Sequence, residues 1–140
     1  MLCVVGTVPN PDFPLFSGPV TLNGGRIVAD GRPIPVNRGT PALLGAALAV
    51  ADVLPLPAVH ACLVGDIGRG DGSRRLYAHL ERHLADAPPT VLVFHYLQPD
   101  VDWHNRVLFA AETLRPRPVM IADAGFMYAA KMSGQSPEYD

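Results

Sequence analysis

A chain of 140 residues suffices for one domain with a core of its own and is short for two. With 49% hydrophobic and 17% charged residues it is not a disordered chain, and its net charge of −2 gives no general attraction for nucleic acid or an anionic membrane. The opening MLCVVGTVPNPDF lacks a basic n-region, and no run approaches the ~20 apolar residues of a membrane span, so a cytoplasmic protein with neither nucleic-acid nor membrane partners is expected.

Residues 1–39 read as a β-rich segment of short strands and turns. LCVVGTV is a β-forming run, and GPVTLNGGRIVADGRPIPVN predicts a hairpin turning at Asn23-Gly24-Gly25. Cys3 and Cys62 both lie in apolar runs, which favours buried thiols; two cysteines are no disulfide framework, and a bridge between them stays open. From Thr40 the pattern turns helical. TPALLGAALAVADVL offers Thr40 as an N-cap and a proline at the first helical position. Being apolar nearly all round, that helix is expected to pack on more than one face.

Three strand-loop-helix units follow. His60–Val64 leads through GDIGRGDGS into Ser73–Leu84, whose Leu76, Leu80 and Leu84 recur every four residues. Thr90–Tyr96 leads through LQPDVDWHN into a helix carrying Val107, Ala111 and Leu114, and Pro118–Asp123 leads into AGFMYAAKM. Apolar strands alternating with helices predict a three-layer α/β fold over residues 40–140, its sheet mostly parallel and covered by helices on both faces. In such sheets ligands bind beyond the carboxyl ends of the strands. The loops leaving those ends are Gly65–Ser73, His95–Asn105 and Asp123–Lys131.

The glycine loop is neither a Walker loop nor a dinucleotide fingerprint, since its spacing is G-x-x-G-x-G. Gly65, Gly68 and Gly70 still allow backbone N–H groups to approach a ligand at a helix start. Asp66 and Asp71 suit a hydroxyl-bearing ligand, a metal-bridged phosphate, or capping, and the plainer alternative makes Asp71 or Ser73 a helix cap. In the second loop, His95 and Asn105 are candidates for polar ligand contact, and Asp100 or Asp102 is a natural helix cap. His95, Asp102 and His104 match no metal-site spacing, so no metal site is assigned, although a metal-dependent hydrolase built on them is a third functional reading. Asp123 ends a buried strand, where a carboxylate needs a partner, a ligand or a helix to cap. His79 and His83, four apart among arginines, read as a solvated face, and Met120, Met127 and Met132 as core filling.

The order GTPALLGAALAVA, ACLVGDIGRGDGSRRL, PVMIADAGF resembles the ribokinase-like superfamily, closest to its ADP- or ATP-dependent NAD(P)H-hydrate dehydratase branch. Gly65, Gly68 and Gly70 fall on that branch's Gly-Pro-Gly-Leu-Gly type loop, and Asp123-Ala124 on the second aspartate of an Asp-Ala-Asp-Ala-Leu type motif. The likeness covers residues 38–132; Asp66 replaces a proline and Gly125 a leucine. It implies part of a nucleotide-dependent enzyme that either dehydrates a hydrated nicotinamide cofactor or phosphorylates a small hydroxylated metabolite such as a sugar, using ATP or ADP with Mg²⁺. The family's Thr-Pro-His-Pro-Gly-Glu type segment and Gly-x-Gly-Asp anion hole do not occur before Asp140, so the chain is expected to be the N-terminal half of a longer protein. Gly65, Asp66, Gly68, Gly70, Asp71, His95, Asn105 and Asp123 would then face a small-molecule substrate. A half-sheet of this kind should expose a strand edge and turn over nothing alone. The alternative is a non-catalytic α/β ligand-binding or assembly module, with self-association as a homo-oligomer open.

Overall fold

The run LCVVGTV forms β1, Leu2–Val8, and becomes the middle strand of the main sheet. Its residues are buried on both faces from Cys3 onward, as a strand with parallel neighbours on either side requires. The computed structural model describes residues 1–54 and 56–140. After β1 come β2 (Phe16–Pro19), β3 (Thr21–Asn23), β4 (Arg26–Ala29), β5 (Arg32–Pro35) and helix α1 (Thr40–Val53). Then follow β6 (Val59–Gly65), α2 (Asp71–His83), β7 (Val91–Phe94), α3 (Val101–Thr113), β8 (Val119–Ala122) and α4 (Ala124–Met132), with short 3-10 turns at Leu84–Asp86 and Ser136–Glu138.

The architecture is α/β. A mixed five-stranded sheet has the order β2-β6-β1-β7-β8, and β3-β4-β5 form a small antiparallel sheet. β1 runs parallel to β6, from Leu2↔Val59 to Val8↔Gly65, and to β7, from Leu2↔Val91 to Val5↔Phe94. β7 pairs parallel with β8, and β2 alone runs antiparallel, beside β6. Residues 1–39 are therefore β-rich without standing apart, because their first strand is the sheet's centre.

Both faces carry helices, unequally. Cys3, Val5, Cys62, Val64, Leu92, Phe94 and Met120 pack under residues of α2, α3 and α4, among them Leu76, Leu80, Val107, Leu108 and Phe126. Val4, Val59, Ala61 and Leu63 pack on the other face with Leu44 and Leu48 of α1 and with Ile27 and Ile34 of the small sheet. α1 is thus wedged between two sheets at its inner surface, but Val50 and Val53 remain exposed, so its apolar circumference is only partly used. On β8, Met120 and Ala122 are buried while Val119 and Ile121 face outward uncovered. The edge of β8 meets the chain's last residue, where the Asp140 N–H donates to the Met120 carbonyl at 2.8 Å.

The helix starts differ from the sequence expectation. Thr40 is the first helical residue of α1, and Gly39, at φ 63°, takes the cap position. Thr40 is instead buried, its hydroxyl lying against Gly6 of β1. Neither Asp71 nor Ser73 caps α2; Gly70 does, in the left-handed region at φ 86°. Asp100 caps α3 by accepting the Trp103 N–H at 3.1 Å, and Asp123 caps α4. The hairpin at Gly24-Gly25 forms as expected, and a second one turns at Asp30-Gly31. No helix among the described residues is long and apolar enough to cross a membrane.

Candidate functional site

The connection from β1 to β6 leaves one side of β1, and the chain then crosses to place β7 on the other side. The strand order therefore reverses between β1 and β7, and loops diverge there at the carboxyl ends, opening a crevice. A cleft of about 470 Å³ lies at that point. Its walls come from four places: Thr7 and Pro9 at the end of β1, Arg38 to Thr40 at the start of α1, Asp66 to Gly68 after β6, and Tyr96 and Gln98 after β7.

The back wall is built by Asp66. Its Oδ1 accepts the N–H groups of Gly68 (2.9 Å), Arg69 (3.0 Å) and Gly70 (3.2 Å), and its Oδ2 accepts the Ser73 N–H and hydroxyl, both at 2.9 Å. Burial of the group would push its acidity toward the neutral form, but the bonds from Ser73, Gly70 and Gly68 outweigh burial and hold the carboxyl below its ordinary range. The glycines permit this wrap, and Gly72 permits α2 to begin where it does, since a Cβ there would run into the Gly65 carbonyl. Ser73 passes the bracing on: its hydroxyl also accepts the Gln98 N–H at 3.1 Å, and the Tyr77 hydroxyl donates to the Gln98 carbonyl at 3.0 Å. Across the cleft, the Thr7 hydroxyl donates to the Tyr96 carbonyl at 2.7 Å, tying the β1 end to the β7 loop.

The groups left for a ligand are of another kind. Arg38 is exposed at the rim beside the start of α1, whose first-turn N–H groups add partial positive charge. Ile67 and Tyr96 are each about half exposed, at 52% and 55%. Behind Thr40 runs a polar chain: Thr40 Oγ1 lies 3.3 Å from His95 Nδ1, and His95 Nε2 lies 3.6 Å from Asp123 Oδ2. Burial lowers the His95 pKa from its ordinary value while Asp123 pulls it back up, so the ring is biased toward neutrality.

The sequence-derived candidates thus divide. Asp66 and Gly68 line the cleft, with His95 and Asp123 immediately behind it. Gly65 lies under the backbone of Asn10 and Phe13, and Gly70 caps α2. Asp71 points away into solvent and pairs with Arg74 at 2.6 Å. Asn105 is on α3, its Oδ1 3.0 Å from the Nδ1 of buried His104, in a groove with Glu81 and Arg106 rather than in the cleft. His104 in turn meets the Tyr139 hydroxyl at 2.8 Å inside an aromatic cluster and is fully buried. Among the described residues, no three His, Cys, Asp or Glu side chains converge as a metal site. Arg38, Thr7, Tyr96 and Gln98 escaped the sequence reading because no local motif marks them.

The fold is α/β, with a cleft at the point where the strand order reverses. No family model matches the chain, and no solved structure matches it. An uncharacterized protein of Methanocaldococcus jannaschii is 33% identical over 89 residues, which make up 64% of this chain and 34% of that protein. The match spans about a third of the length of that relative.

Proposed function

We propose that this chain supplies the substrate-side part of a nucleotide-dependent enzyme of the ribokinase-like kind, acting on a small hydroxylated metabolite. Both a dehydratase acting on a hydrated nicotinamide cofactor and a kinase acting on a sugar-like metabolite fit this reading. The observation that carries it is the cleft of about 470 Å³ at the reversal point, with a rigid glycine loop on one wall and Arg38, Tyr96 and Gln98 on the others. Arg38 and the α1 start suit an anionic group, Gln98 and Thr7 suit hydroxyls, and Tyr96 offers a ring face. ATP or ADP with Mg²⁺ finds no donor set here: among the described residues no metal-binding group of three converges, and the Asp66 oxygens are saturated. No step is routed through the nucleotide on this chain.

The saturation of Asp66 favours a second reading, a non-catalytic binding or assembly module, because it leaves the cleft without a free carboxylate base. Two measurements bear on them, the first testing the cleft and the second separating the readings. Thermal-shift and calorimetric titration with hydrated NADH and with sugar-like alcohols should give saturable stabilisation, about 2.7 kcal/mol at 100 times Kd. It should be lost in Arg38→Ala and Gln98→Ala, and binding that survives both would remove the cleft from consideration. A coding frame running past codon 140 into a Gly-x-Gly-Asp segment supports the enzyme; a stop codon there supports the module.

A further inference from the structure

Beside the cleft, past Pro9, lies a second hollow of about 190 Å³ that the proposed function does not use. Pro9 lines both spaces, and the chain neighbours Asn37 and Arg38 line one each, so the hollow is an annex of the cleft. Its floor is apolar, because Val8, Phe13 and Ile34 are buried there as part of the core that includes the small sheet. Its β5 wall is Pro33 and Pro35, exposed, two residues apart and therefore on one face of the strand. β5 is an edge strand, and neither proline has an N–H to offer a further strand. What these two rings can do is pack against a ligand.

The polar groups of the annex are of one kind. Asn10 Oδ1 accepts the Asp12 N–H at 3.0 Å, and Asn37 Oδ1 accepts the Arg38 N–H at 2.8 Å. Each carboxamide thereby has its oxygen occupied by the backbone and keeps its NH2 group to donate. None of the described residues that line the annex is ionisable. The frame is braced: the Phe13 N–H donates to the Asn10 carbonyl at 3.1 Å, the Gly65 N–H to the Phe13 carbonyl at 2.9 Å, and the Asp66 N–H to the Val8 carbonyl at 3.1 Å.

We propose that the annex takes an uncharged, carbonyl-bearing ring of a metabolite whose anionic group Arg38 holds in the cleft. The inference rests on the reading of the cleft as a substrate site and narrows its ligand to a two-part molecule. Two NH2 donors without a free side-chain acceptor match carbonyl oxygens, which only accept, whereas a hydroxyl would also need an acceptor for its proton. A charged ring would be desolvated there with no counter-charge. The apolar floor and the proline wall suit the faces of a flat ring.

The test is calorimetric titration of the full chain with ribose 5-phosphate and with uridine 5′-monophosphate, which share the sugar phosphate and differ in the uracil ring. The nucleotide should bind about 30-fold more tightly, the yield of two further hydrogen bonds and a buried ring face. Asn10→Asp and Asn37→Asp keep the oxygen that each turn uses, so circular dichroism and thermal midpoint should stay native. Each should cut the ratio of the two affinities about 5-fold, since one donor is lost. Equal affinity for the two probes overturns the annex while leaving the cleft as a substrate site, and so does a ratio that both variants leave unchanged. Binding of neither probe overturns the annex together with the anion-holding role of Arg38 on which it rests.

Discussion

The loops after β6 and after β8 each begin at an aspartate, and in the sequence Asp66 and Asp123 look equivalent. The structure makes them opposites. Asp66 is 8% exposed and spends both oxygens on five donors of its own loop. The Asp123 side chain is 69% exposed, accepts one bond from the Ala124 N–H, and leaves Oδ2 beside His95. A buried carboxylate with every lone pair occupied is scaffold, whereas the exposed Asp123 keeps an oxygen that faces His95 across 3.6 Å. What separates them is the number of backbone donors each chain segment folds around its carboxylate.

That contrast is open to direct attack. Asp66→Ala should be the most damaging change, because it strands four backbone N–H groups and the Ser73 hydroxyl, costing ~3 kcal/mol or more, read as a lowered urea midpoint. Asp66→Asn should fall between, since it keeps Oδ1 but turns an amide toward the Ser73 N–H. The same carboxylate sets an acid limit: its folded pKa lies below its unfolded one, so its stabilisation is complete above the ordinary carboxylate range. It disappears as pH falls through the folded value, and acid unfolding should move to higher pH when Asp66 is replaced. Asp123→Ala should cost only ~1 kcal/mol, the loss of a helix cap. It should also lower the His95 pKa further, measured by NMR titration, because Asp123 is the group that raises it. His95 and His104 both have depressed pKa values from burial, so stability should decline as pH drops below about 6.5, where the unfolded chain takes up protons more readily. Smallest of all, Asp71→Ala removes an exposed pair with Arg74 and should change stability by no more than about 0.5 kcal/mol.

The parallel units were legible because each is periodic and contiguous: Leu76 and Leu80 do lie buried on α2, and Val107 and Ala111 on α3. β2 was not, since FSGP carries a glycine and a proline and becomes a strand only by pairing with β6. The second hairpin had a signal, the Asp30-Gly31 pair, that was readable beside the first. The capping of α1 misled because Thr40 has the right chemistry, while its burial against Gly6 and its approach to His95 are tertiary facts. Much the same holds for the cleft. Asp66 and Gly68 are marked by their own loop, but Arg38, Thr7, Tyr96 and Gln98 meet only because the strand order reverses between β1 and β7.

The five bonds that Asp66 gathers divide the cleft into a stiff side and a loose one. A molecule entering it would be measured for shape by a wall that does not yield, while Arg38 and Tyr96 at the rim have to be immobilised around it. Selectivity would then arise mainly at the wall, and much of the entropy lost on association would come from the rim.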